Sequence, residues 1–442
     1  MNLRTDAPGP LRRRGPRPIL LHLGLAMLRS SASIAASLNS NPAWPRSNAS
    51  PPHPDGAPGA RAADAPSPAG PPPDTGGLFG RPYRAQGWRD GCARNQDHPG
   101  FPAAVLAEAL RQDSELLAGI AAYRRHPFHR DLADPPTVWA EGGSRLLDYA
   151  TAGDGPVVLF VPSLVNRAYV LDLAPGHSLL RFLAGQGVRP LLLDWGWPGQ
   201  VERGFTLTDY IAGRLERALA AATALAGGKV VLAGYCMGGL LALAAAERRP
   251  DLVAALALLA TPWDFHAGGA DQAGQAARLL PLLEPALALD GTLPIDGLQL
   301  LFALLDPFGV TEKYRAFARL DPAGPRAALF VALEDWLNDG VPLAAPVARE
   351  CLGLWYGANA PARGDWRVAG LPVDPRRLRL PCFVAVPRRD RIVPPESARP
   401  LAALIEGAVL HTPGAGHIGM AAGSNAETAL WRPLLAWLRR DG

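Results

Sequence analysis

The ten residues Val230-Val-Leu-Ala-Gly-Tyr-Cys-Met-Gly-Gly239 restrict the fold more than any other stretch of the chain. An apolar run able to form a buried strand ends at Gly234, and a helical pattern begins just past Cys236 and runs through Leu240-Leu-Ala-Leu-Ala-Ala-Ala246. Glycines stand two residues before and two residues after the cysteine. That spacing suits a sharp strand-to-helix turn, where side chains at those two positions would collide. A residue on such a turn is presented at the end of its strand, and the N-terminus of the following helix favours a thiolate there. Cys236 is the expected nucleophile, and the backbone N–H of Met237 is one expected donor to an oxyanion. Gly239 allows the helix to pack closely on a sheet.

The same alternation recurs along the chain. Val157 to Val161, Pro190 to Leu193, Val230 to Ala233, Val253 to Ala260 and Phe383 to Val386 are short apolar runs with helical segments between several of them. Such a pattern predicts a mostly parallel sheet covered by helices on both faces. Thr137 to Trp139 and Arg145 to Ala150 read as strands flanking Gly142-Gly143, and Ala103 to Tyr123 reads as a helix. From Phe265 to Leu380 the pattern is helix-like and lacks clear strands, as expected of a cap over an active site. Trp263, Trp336, Asp339 and Trp355 lie in or beside it, with packing as their default role. The expected fold class is α/β, of the α/β-hydrolase type, with a catalytic domain over residues 81–442 and a helical cap over about 265–380.

In this fold an acid and then a base follow the nucleophile in chain order. Asp390 stands in the turn after the late strand Pro381 to Pro387. His417 lies in the glycine-rich segment Pro413-Gly-Ala-Gly-His-Ile-Gly419, after a last short strand, Ala408 to His411. His411 is the competing histidine, but its alternating strand position suits a structural role. In this assignment His417 takes the proton from Cys236, and Asp390 orients the imidazole and stabilises its cation. A second oxyanion N–H is expected from the loop after Val161, at Ser163 or Leu164.

Composition excludes other classes. The net charge of +4 over 442 residues, with basic residues scattered beyond Arg12-Arg13-Arg14, gives no footprint for nucleic acid. Cys92, Cys236, Cys351 and Cys382 are widely spaced, without zinc spacing, which points to a reduced cytosolic enzyme without metal or resident cofactor. His126-Pro-Phe-His129 with Asp131 offers too few ligands for a metal site. Asp194-Trp195-Gly-Trp197 ends a strand at the expected pocket rim, with packing as the default reading. Asn48-Ala-Ser50 matches a glycosylation triplet of the kind that arises by chance. Residues 1 to about 80 read as a disordered segment, because Asn41 to Gly77 is dominated by Pro, Ala, Gly and Ser. Within it, the basic flank before Ile19 to Leu28 has the outline of a secretory signal. The apolar core is interrupted by His22 and closed by Arg29, too short to span a bilayer, so a short amphipathic helix touching the enzyme, a membrane surface or a granule is the preferred expectation.

Several segments together resemble the polyhydroxyalkanoate synthases. Phe160-Val-Pro-Ser-Leu-Val-Asn-Arg167 with Tyr169-Val-Leu-Asp-Leu173 is similar to the start of their conserved region, and Leu193-Asp-Trp-Gly-Trp-Pro198 with Thr206-Leu-Thr-Asp-Tyr-Ile211 to the short, class III catalytic subunit. Gly234-Tyr-Cys-Met-Gly-Gly239, Trp336-Leu-Asn-Asp339, Asp390-Arg-Ile-Val-Pro-Pro395 and Gly416-His-Ile-Gly419 resemble further motifs of that family. The resemblance covers roughly residues 140 to 435, and the proline-rich N-terminal segment departs from it. It implies that Cys236, Asp390 and His417 act as a triad on 3-hydroxyacyl-CoA thioesters, releasing CoA and extending a polyester. It also implies a homodimer, a second synthase subunit and attachment to polymer granules in the cytoplasm. If water attacks instead, the same triad makes a thioesterase or ester hydrolase; dienelactone-type hydrolases carry a similar set. A silent granule-associated subunit is the third reading, opposed by the intact triad.

Overall fold

Five apolar runs form the middle of one eight-stranded sheet in the computed structural model, which describes residues 13–39, 100–150 and 155–441. The strands are β1 (Thr137–Glu141), β2 (Ser144–Asp148), β3 (Val157–Val161), β4 (Arg189–Asp194), β5 (Val230–Tyr235), β6 (Val253–Leu259), β7 (Cys382–Ala385) and β8 (Val409–His411). Their spatial order is β1-β2-β4-β3-β5-β6-β7-β8. β1–β2 and β2–β4 are antiparallel pairs, and every other neighbouring pair is parallel. The register sets Phe160 beside both Leu192 and Ala233, and Gly234 beside Leu258.

Why the runs are apolar throughout is visible in their packing. Leu159, Val161, Val230, Leu232, Leu256 and Leu258 belong to a core on one face, while Val158, Phe160, Val231, Ala233, Ala255 and Ala257 belong to a core on the other. Successive residues of a strand point to opposite faces, so a strand buried on both sides must be apolar at every position. Helices supply both covers, among them Met237–Arg248 on the first face and His417–Ala422 on the second.

The segment between β6 and β7 is helical as expected, with two minimal strand pairings added: Thr292–Leu293 with Leu343–Ala344, and Arg367–Val368 with Leu371–Pro372. The chain divides into two compact units. Of the described residues, one unit contains the sheet and holds 13–18, 123–150, 155–306 and 321–441; the other holds 19–39, 100–122 and 307–320.

Within the second unit, the apolar stretch expected to close at Arg29 continues as one helix, Ile19–Asn39, of 21 residues. Arg29 closes the apolar run without ending the helix, because arginine is a good helix former; its guanidinium lies 3.6 Å from Glu312 and over the ring of Phe308. This corrects the expected length: among the described residues it is the one helix long and apolar enough, by length and composition, to cross a membrane. His22, Ala26 and Ser37 are its buried positions in this fold. The sequence expectations for Asn41 to Gly77, Asn48-Ala-Ser50 and Cys92 lie outside the described residues.

Candidate active site

β5 delivers Cys236 to the turn with φ +56° and ψ −129°, a conformation that costs a non-glycine residue about 1–3 kcal/mol and persists only where its surroundings dictate it. Here they do. The Cys236 N–H donates to Leu259 O at 2.8 Å, and Cys236 O accepts from Gly239 N at 2.9 Å. The two flanking glycines are steric necessities. A Cβ at Gly234 would lie 2.4 Å from the Gly239 Cα, and one at Gly238 would lie 2.1 Å from Val161 O. At Gly239 it would meet the Thr261 hydroxyl at 1.8 Å. The thiol is half-buried. Met237 opens the helix that follows, where backbone N–H groups have no acceptor within the helix.

Asp390 and His417 meet as the chain order predicts. His417 Nδ1 and Asp390 Oδ2 are 2.7 Å apart, and both side chains are buried. The other oxygen of Asp390 accepts from Ile392 N and Val393 N, each at 2.9 Å. An imidazole that donates Nδ1–H to a carboxylate keeps Nε2 as the acceptor for a thiol proton. Burial by itself would push the His417 pKa down. Attraction to Asp390 and then to Cys236, with hydrogen bonds to both, outweighs burial and raises it to about 10.

The remaining described cysteines are different. Burial pushes the Cys351 thiol up, with Glu350 adding to the effect, and burial pushes the Cys382 thiol up to about 12. His411 also differs from His417: its Nε2 lies 2.6 Å from Ala429 O and its ring stacks on Phe383. His417 is the first residue of a short helix, His417–Ala422, rather than part of a loop.

Tyr235 is a site residue that the sequence reasoning passed over. It fills the free position between Gly234 and Cys236, yet its hydroxyl donates to His417 O at 3.2 Å and its ring lies 5.2 Å from the imidazole. Burial, then Cys236 and Asp390, push its phenol far above the ordinary value, so it remains a donor.

The loop after β3 is tightly folded. Ser163 Oγ accepts from Val165 N at 3.0 Å, Leu164 is buried, and Asn166 is left-handed with φ +65°. Trp195 supports it by donating Nε1–H to Pro162 O at 3.0 Å. Asp194 pairs with Arg145 at 2.7 Å, and Trp197 lies beneath the Arg167 guanidinium. From the cap, Trp336 Nε1 donates to Arg167 O at 2.7 Å, and Asp339 accepts from the Tyr169 hydroxyl at 3.3 Å. His126 is engaged by Phe128 N and Pro322 O, and no group of three or more metal-ligating side chains occurs among the described residues.

A second latch joins the cap to the loop after β6. Asn359, left-handed at φ +53°, accepts from Phe265 N at 2.9 Å and donates to Asp264 Oδ1 at 2.8 Å. His266 Nε2 contacts Tyr356 O at 2.8 Å. Phe265 stacks on Trp355 and meets Tyr356 edge-on, and Trp355 meets Trp366 edge-on. Burial and then the Cys236 and Cys351 sulfurs push the Tyr356 phenol up.

A model described as the alpha/beta hydrolase fold matches residues 156–423. The chain is 30% identical over 311 residues to the poly(3-hydroxyalkanoate) polymerase subunit PhaC of Haloferax mediterranei, covering 68% of this chain and 62% of that one. It is 30% identical to the subunit of the same name from Allochromatium vinosum, covering 64% of this chain and 80% of that one. The corresponding Synechocystis sp. subunit is 30% identical, with 64% and 77% covered. The chain thus spans less than two thirds of the length of the Haloferax relative and more than three quarters of the other two.

Proposed function

From the premise that this chain belongs to the PhaC family of poly(3-hydroxyalkanoate) polymerases, within the α/β-hydrolase fold, we propose that it is an acyltransferase joining 3-hydroxyacyl-CoA units into a polyester. The observation that carries this reading is the 2.7 Å Asp390–His417 pair beside a cysteine held at positive φ.

The Cys236 thiolate attacks the thioester carbonyl. The carbon–sulfur bond to CoA breaks, and the departing thiolate takes the proton from the His417 imidazolium. The Met237 and Leu164 N–H groups stabilise the tetrahedral oxyanion. The hydroxyl of another 3-hydroxyacyl unit then attacks the acyl-cysteine. Its proton passes to His417, an ester bond forms, and Cys236 leaves as a thiolate. Asp390 keeps the imidazole oriented throughout. Exchange between thioesters is nearly isoenergetic and transfer to an alcohol is downhill, which suits a thiol to this task. The aromatic cluster of Phe265, Trp355, Tyr356 and Trp366 supports the reading by offering cover against water, which would otherwise take the acyl group.

No resident metal or cofactor enters these steps. The same reading includes a homodimer, a cytoplasmic location and attachment to polymer granules. The relatives' designation as polymerase subunits supports a second synthase subunit as partner. The purified protein, with candidate partner supplied, should convert 3-hydroxybutyryl-CoA to CoA and chloroform-extractable polyester, with free hydroxy acid a minor product. CoA released one-for-one with free 3-hydroxybutyrate, and no polymer, would replace the polymerase by a thioesterase.

A further inference from the structure

We propose that Arg13 is a positioning residue for the oxyanion loop, acting through the C-terminal turn of the cap helix Pro325–Asn338. The inference rests on the reading that Leu164 donates to the oxyanion.

Arg13 lies far from every motif in sequence, yet its guanidinium is almost fully engaged. Nε and one terminal nitrogen grip the two carboxylate oxygens of Asp335, each at 2.7 Å. The other terminal nitrogen donates to His126 O at 2.5 Å, the Asp335-bound terminal nitrogen also donates to Phe128 O, and the group lies over the ring of Tyr123. Only 13% of the Arg13 side chain is exposed. Tyr123 adds a hydrogen bond to Asp335 at 2.8 Å and receives one from Asn338 at 3.1 Å. Arg17 extends the hold: its N–H donates to Asn338 Oδ1 at 3.1 Å and its side chain to Asp296 at 2.9 Å.

The same helical turn grips the loop that follows β3. Trp336 donates to Arg167 O, and Asp339 takes both the Tyr169 hydroxyl and, at 3.6 Å, the Arg167 guanidinium. Asp335 and Asn338 thus hold the N-terminal arm, while Trp336 and Asp339 hold residues three and five places beyond Leu164. A forked guanidinium on a carboxylate fixes orientation as well as distance, which a point charge does not. Arg13 therefore sets the angle of the turn, and through it the loop.

The test uses the full chain with Arg13→Ala, Arg13→Lys, Trp336→Phe and the Arg13→Ala/Trp336→Phe double variant. Removing one oxyanion donor outright costs on the order of 100- to 1,000-fold in kcat, so misplacing one should cost about 10- to 100-fold. Arg13→Ala should lower kcat for CoA release by that factor with KM within about twofold, and Arg13→Lys should recover only part of it. Iodoacetamide alkylation of Cys236 passes through no oxyanion, so its rate should stay at wild type. Trp336→Phe should reproduce the defect, and the double variant should be no worse than the more impaired single variant, because both break one chain of contacts. Wild-type kcat in Arg13→Ala, equal slowing of alkylation and turnover, or additive losses in the double variant would each overturn the inference. Leu164→Pro, which removes the N–H itself, tests the underlying reading separately. Full activity in that variant removes Leu164 as a donor; lost CoA release with normal alkylation upholds it whatever Arg13 does.

Discussion

The turn at Cys236 and the latch at Asn359 hold backbone in the same left-handed half of conformational space by opposite means. At the turn the restraint is steric: Gly234, Gly238 and Gly239 sit where any Cβ would penetrate backbone or the Thr261 side chain. At the latch the restraint is polar, one amide side chain accepting from Phe265 N and donating to Asp264. Steric restraint admits no graded loss, because interiors are close-packed and repulsion rises steeply. Polar restraint does, because water or a neighbour can replace part of a lost hydrogen bond. Cys236 is held by the first kind and the aromatic cluster around Phe265 by the second, so the cluster is the part more able to yield.

Gly238→Ala should show the steric extreme. Its Cβ would press on the carbonyls of Val161 and Pro162, separating the helix after Cys236 from strand β3 and the loop that follows it. A misplacement near 1 Å costs about 100-fold in rate, so kcat should fall at least that far, with thermal stability falling by about 1–3 kcal/mol. Near-normal kinetics and melting in this variant would mean that the turn is less constrained than its contacts indicate. Asn359→Gly should show the polar counterpart. Glycine tolerates the backbone angle but removes both hydrogen bonds, for a loss of about 1–2 kcal/mol by thermal unfolding, with kcat retained to within about tenfold. If this substitution instead matched Gly238→Ala, the distinction between the two restraints would collapse.

The same contrast explains what could be read in the sequence. Strands β3 to β7 were legible because burial on both faces leaves unbroken apolar runs, and the turn because sterics demand glycine at fixed offsets. His417 and Asp390 followed from chain order. The polar latches left no such trace: Arg13 and Asp335 are 322 residues apart, Asn359 and Asp264 95, and neither pair obeys a periodicity. Tyr235 was hidden because any residue can occupy its place in the motif pattern. Helix Ile19–Asn39 runs past its apolar segment because a charged residue such as Arg29 ends an apolar run but not a helix.

Glu247 offers the smallest effect, near the end of the helix Met237–Arg248 and away from Cys236. One of its oxygens accepts from Asp374 N at 3.0 Å, and the other is buried without a hydrogen-bond partner. Burial raises its pKa from 4.5 to about 7. Below pH 4.5 the carboxyl is protonated in both folded and unfolded chains and carries no penalty. As pH rises from 4.5 to 7 the unfolded chain ionises first, so the folded state loses stability, and the loss is complete above pH 7. Glu247→Gln should therefore stabilise by about 1–3 kcal/mol at pH 8 and by much less at pH 5, read from denaturant unfolding at the two pH values. A stabilisation independent of pH would show that the unpartnered oxygen, not its charge, is the defect.

We infer that the steric turn presents the thiol that carries the acyl chain. Brief incubation with 3-hydroxybutyryl-CoA, an acid quench and peptide mass mapping read this directly. A 3-hydroxybutyryl adduct should lie on the peptide containing Cys236, should accumulate further in Asp390→Asn, and should vanish in Cys236→Ala along with CoA release. An adduct confined to Cys92, Cys351 or Cys382, or undiminished CoA release from Cys236→Ala, would remove Cys236 as the acyl carrier.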